Sequence, residues 1–194
     1  TVRRVTNVHP SSPVSRKQVV FLRYFKPEYW NDMQSPEPTE ETDRLWEEGM
    51  MEYIVQLETL QPKLSARNYN FFRHHSLHDG CVAELRVTDR NAGNMRAEGR
   101  YHVTPMQRSP VIVAIEVLSG DFAYTLTFSK VSALRIDSPA EETLPGWGGF
   151  GDWGYGELTE AGERTFRYEV LFSSGAALLI EFAAFSYKRR KFIG

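Results

Sequence analysis

Thiols are almost absent from this chain: Cys81 is the only cysteine among 194 residues. That excludes an intrachain disulfide and a four-cysteine zinc site, and a lone thiol suits a reducing, cytoplasmic setting. Long hydrophobic runs are missing too. The longest, Ala176–Phe185, is interrupted by Glu181 and falls far short of the roughly 20 residues a spanning helix needs, so no membrane partner is expected. The N-terminus carries arginines without an apolar core behind them and does not read as a secretory signal. Charge of one sign is not in surplus: 23 basic side chains face 25 acidic ones, which argues against a dedicated nucleic-acid binder. Catalytic signatures are lacking as well. There is no Gly-x-Ser-x-Gly elbow, no His-Glu-x-x-His pair and no phosphate loop ending in Lys-Ser/Thr.

What remains is enough for a packed core without disulfides, metal or any cofactor: 41% of the residues are hydrophobic and 13% aromatic. The charges are unevenly placed. Before Glu28 stand Arg3, Arg4, Arg16, Lys17, Arg23 and Lys26 with no acid. Between residues 37 and 58 stand Glu37, Glu40, Glu41, Asp43, Glu47, Glu48, Glu52 and Glu58 against Arg44 alone.

Residues 1–18 hold Pro10, Pro13 and several serines without apolar periodicity and read as a flexible basic arm; residues 19–194 read as a single domain. Pro27 suits the first turn of a short helix. Thr39 is a natural N-cap, and Trp46, Met50, Tyr53, Leu57 and Leu60 recur at helical spacing until Pro62. A shorter helix covers "LSARNYNFF". After Gly80 the period changes to two, with Cys81, Ala83, Leu85 and Val87 on the expected inward face. Further strands are expected near residues 100–104, at "VIVAIEVLS", "FAYTLTFSK" and "SALRID", over Trp153–Leu158, and in the hairpin "TFRYEVLF"/"AALLIEFAAF". Helices first, then strands joined by tight turns, define an α+β class: N-terminal helices packed on a curved, mostly antiparallel sheet of six to seven strands.

Three stretches carry candidate chemistry. In "FFRHHSLHDG", His74 and His78 are four apart and Asp79 follows, a set that a metal-dependent hydrolase could use if the helix ran through them. The competing reading is architectural: Asp79-Gly80 turns the chain and His78 caps or pairs locally as helix becomes strand. In "LPGWGGFGDWGYGEL", Trp147 and Phe150 sit among glycines as a candidate aromatic lip. The acidic helix, with Glu47, Glu48 and Glu52, is either a solvated face or a docking surface for a basic protein.

"RYFKPEYW", "SLHDG", and "WGYGEL" ahead of "FRYEVLFSSGAALLIEFAAFSY" together resemble an uncharacterised bacterial domain family of unknown function, over roughly residues 21–187. The resemblance implies that Leu77, His78 and Asp79 mark a helix-to-strand junction. It is also similar to immunity-type proteins encoded beside secreted toxins, which implies a toxin-neutralising role. The expectation is a non-enzymatic protein-interaction domain. Its contacts would be Glu47, Glu48, Glu52, Trp147 and Phe150, and the hydrolase on His74, His78 and Asp79 is the alternative.

Overall fold

Among the described residues three helices precede the sheet; one starts on a proline and the other two on a hydroxyl cap. A computed structural model describes residues 22–33, 35–37, 39–91, 110–137 and 149–192. Helix α1 (Pro27–Met33) starts on its proline. Helix α2 (Glu40–Leu60) starts after Thr39, whose hydroxyl accepts the Thr42 N–H at 3.2 Å, and three acids occupy its first turn, where the helix dipole favours them. Trp46, Tyr53, Leu57 and Leu60 are buried, whereas Met50, placed on the same stripe by its spacing, lies at the rim, 37% exposed. A 3-10 turn at Gln61–Lys63 leads to α3 (Ala66–His74), capped by Ser65, whose hydroxyl accepts the Asn68 N–H.

The strands are β1 (Gly80–Asp89), β2 (Val111–Ser119), β3 (Phe122–Ser129), β4 (Ala133–Asp137), β5 (Asp152–Gly162), β6 (Thr165–Phe172), β7 (Ala177–Phe182) and β8 (Ala184–Lys191). All pairings among the described residues are antiparallel, in the order β4-β7-β6-β5-β1-β2-β3-β8. The class is α+β, as expected, with eight described strands instead of six or seven. The difference arises where "AALLIEFAAF", read as one strand, divides at Ala183 into β7 and β8. The first half pairs with β4 and β6 and the second with β3. The strand expected near residues 100–104 lies outside the described residues.

That division closes the sheet. Ser129 faces Ala184 and Ala133 faces Glu181, so β3 and β4 run along β8 and β7 as one bent ladder, joined by the Ala183 N–H to Ser129 carbonyl bond at 3.3 Å. The circuit β1-β2-β3/β4-β7-β6-β5 returns to β1. The inner wall is apolar by strand alternation: Val113, Ile115, Leu126, Phe128, Tyr168, Val170, Ile180 and Phe182 are all buried.

The weakest joint is β1 to β5, where only Gly80 with Trp153 and Cys81 with Asp152 are paired. From Gly154 onward one edge of β5 is without a described strand, and α2 packs against β5 there, while α3 packs on β8. Tyr53 of α2 accepts the Leu158 N–H at 3.0 Å, and Phe71 and Phe72 of α3 pack on Phe185 at 5.3 and 4.7 Å. The edge of β8 that pairs with no described strand carries Lys188, Arg189, Arg190 and Lys191, charges that discourage edge-to-edge pairing.

The inward face expected for β1 is corrected by the structure. A bulge between Val82 and Glu84 shifts the register, so Val82, Leu85 and Val87 share one side while Cys81 is exposed. One extra residue reverses the alternation on which the expectation rested.

Candidate functional site

The helix-to-strand junction is built from main-chain bonds. The His75 N–H donates to the Phe71 carbonyl and ends α3; the Gly80 N–H donates to the Leu77 carbonyl, and the Asp79 N–H to that of Trp153, each at 2.9 Å. Asp79 has φ 62, a left-handed conformation that Asp tolerates better than most residues. Gly80 is dictated by space, since a Cβ there would stand 2.8 Å from the Leu77 carbonyl oxygen and 3.0 Å from Val117. The His78 ring lies 5.0 Å from Tyr155 and 6.0 Å from Trp30, edge to face, while its Nδ1 meets Asp79 Oδ1 at 2.9 Å. His74 is exposed at the end of α3. His78 and Asp79 are thus brought together. Among the described residues no three His, Cys, Asp or Glu side chains are grouped to hold a metal ion.

Two buried carboxylates escaped the sequence reading. Glu157 of β5 and Glu169 of β6 face each other across the ladder, 0% and 5% exposed. Glu157 accepts the main-chain N–H groups of Arg23 (2.5 Å), Tyr24 (2.9 Å) and Phe25 (3.4 Å), pinning the segment that enters the domain. Burial raises its pKa, and those three donors oppose the rise. Glu169 is pushed up to about 7 by burial and by the neighbouring Glu157, with Arg167 pulling the other way. Arg167 is itself held by Glu181 at 2.6 Å. The pair is sealed from solvent, and Glu157 is committed to main-chain donors, so the arrangement anchors a strap and offers no open surface to a substrate. An acid in the middle of the apolar run "FRYEVLF" was the available signal.

The outward side of α2 has the opposite character. Glu47, Glu48 and Glu52 are exposed; Arg44 bridges Glu41 at 2.6 Å and Glu48 at 2.5 Å, while Glu47 makes no ion pair among the described residues. Among these acids sit Met51 and Val55, 62% and 61% exposed and four residues apart on one helical face. They lie off the buried stripe, and their interruption of an acidic surface was the sequence signal for them. Together with Arg23, Tyr24, Glu52 and Gln56 they line a shallow groove.

The glycine-rich loop divides. Trp153 is buried, and Tyr155 packs on Trp46 at 4.6 Å and Phe25 at 5.1 Å. Phe150 is half-buried on Phe172 at 5.0 Å, and its carbonyl accepts the Ser174 hydroxyl. Trp147 lies outside the described residues. No hydrogen bond, ion pair or ring contact joins Phe150 to α2 among the described residues. Cys81 is a poor nucleophile, because partial desolvation and the nearby Asp152 carboxylate both raise its pKa.

The sequence matches no protein-family model, and no curated protein matches it significantly.

Proposed function

We propose that this is a non-enzymatic interaction domain that docks a basic protein partner on the outward side of α2. The carrying observation is the pair Met51 and Val55, exposed on a helix whose other side is locked into the core and flanked by Glu47, Glu48 and Glu52. Two apolar side chains inside an anionic rim match the usual anatomy of an interface, with a desolvated centre and charges at the edge that steer approach. Phe150, with Trp147, supplies a second contact in this reading. The resemblance to immunity-type bacterial proteins suggests the finer role of neutralising a secreted toxin.

The test is capture of partners from the native host by the full chain, followed by affinity measurement on the purified pair. Glu47→Lys, Glu48→Lys and Glu52→Lys together should weaken association at low salt and flatten its salt dependence. Met51→Asp should weaken it at any salt, by roughly tenfold or more if Met51 is a central anchor. A complex indifferent to both changes removes α2 from the interface.

A further inference from the structure

The two edges of β8 are occupied differently. One is bonded to β3 along its length, and the Phe192 N–H extends that ladder to the Asp121 carbonyl at 2.8 Å. Main-chain groups of an antiparallel strand alternate between its two sides. Lys188 and Arg190 therefore turn theirs to β3, as Phe192 does, while Phe185, Tyr187, Arg189 and Lys191 turn theirs away. Helix α3 meets the first half of that outer edge. The Asn68 side-chain amide donates to the Phe185 carbonyl at 2.9 Å, and the Arg67 guanidinium to the Tyr187 carbonyl at 2.8 Å. Past Tyr187 this cover ends. No described residue bonds the main-chain groups of Arg189 or Lys191 on that side.

The charge along this stretch is open to solvent. Lys188, Arg189, Arg190 and Lys191 are all exposed. Arg190 is paired with Glu116 at 2.7 Å and Arg189 lies over the Phe122 ring at 4.5 Å, whereas Lys188 and Lys191 make no ion pair among the described residues. Arg67, over the Tyr187 ring at 4.7 Å, adds one more cation beside the same edge. Successive side chains of a strand point to opposite faces, so a segment laid along this edge meets cations on both faces of the sheet. A second copy of β8 would bring the same basic run, and like charges repel across a ladder. An acidic strand brings the carboxylates that these side chains lack.

We propose that the outer edge of β8, from Tyr187 to Lys191, takes an acidic, extended peptide segment of another protein as a further strand of the sheet. Main-chain bonds at Arg189 and Lys191 hold it, and the basic side chains select its sign. A nucleic acid would satisfy the charges but not the alternating main-chain donors and acceptors. The site is separate from the acidic face of α2, which has the opposite sign and takes a basic partner.

The experiment is titration of the isotope-labelled full chain with the peptide acetyl-Thr-Glu-Val-Glu-Val-Glu-Thr-amide, read residue by residue as amide exchange. Binding should saturate. At ten times Kd, exchange at Arg189 and Lys191 should slow by about tenfold, with little change at Lys188 and Arg190, which are already bonded to β3. The same peptide with lysine for each glutamate should not bind. Lys188→Glu with Lys191→Glu should weaken the acidic peptide by about fivefold or more. Arg189→Pro removes an outward N–H where a strand edge tolerates proline, and should weaken it by about fivefold more than Arg189→Ala does. Thermal unfolding midpoints confirm that the variants remain folded, and the exchange pattern of the unaltered chain stands without any variant. A short oligothymidylate is the nucleic-acid control. No saturable peptide binding, unchanged exchange at Arg189 and Lys191, equal affinity for the lysine peptide, or tighter binding of the oligothymidylate overturns the proposal.

Discussion

Replacing Glu169 by glutamine should change how stability depends on pH. In the folded protein Glu169 sits beside Glu157 in a buried row and keeps its proton up to about 7, whereas a free glutamate titrates near 4.5. Between those values the unfolded chain releases the proton and the folded chain retains it. The group therefore costs nothing at pH 4 and destabilises progressively as the pH rises through that window. The slope is about 1.4 kcal/mol per pH unit, so moving from pH 5 to pH 8 crosses about two units of the window and removes about 2–3 kcal/mol. A glutamine side chain is nearly isosteric and does not titrate. The Glu169→Gln variant should be about 2–3 kcal/mol more stable, relative to the wild type, at pH 8 than at pH 5. For a chain of this size that is a relative gain of about 5–10 °C in the unfolding midpoint. Urea denaturation of both proteins at pH 5, 6, 7 and 8 measures it, and subtracting the two profiles cancels the titrating groups that are not coupled to Glu169. Parallel profiles would refute the buried-pair argument.

Glu157→Ala strands three main-chain N–H groups, at about 1–3 kcal/mol each when unsatisfied, so a loss of at least about 3 kcal/mol is expected. Faster amide exchange at Arg23, Tyr24 and Phe25 should accompany it, and a loss below about 1 kcal/mol would contradict the strap. At the junction, Asp79→Ala places a Cβ residue without a local polar group at φ 62 and should cost about 1–2 kcal/mol, whereas Asp79→Gly relieves that strain and should cost less. The reverse order in chemical denaturation would contradict the geometry.

The local architecture was legible wherever periodicity and capping act alone. The stripe from Trp46 to Leu60 and the cap at Thr39 follow from side chain and spacing, as do the hairpins at Gly120-Asp121 and Ser173-Ser174-Gly175. What was not legible depends on partners distant in sequence. The division at Ala183 arises because one run of residues serves two neighbours, and nothing local to "EFAAF" marks a change of partner. The bulge near Ala83 turned Cys81 outward for the same reason. Candidate residues fared unevenly: Glu47, Glu48 and Glu52 are exposed as their helical phase required, and His78 pairs with Asp79 as adjacency allowed. The opposition of Glu157 and Glu169, in contrast, is created only by strand register.

Docking through the outward side of α2 is tested most directly by amide hydrogen exchange on the native complex. Slowed exchange is expected along residues 47–56 of α2 when the partner is bound, with little change on β4 or β8. Protection confined to those strands, with α2 exchanging as in the free chain, would contradict the account.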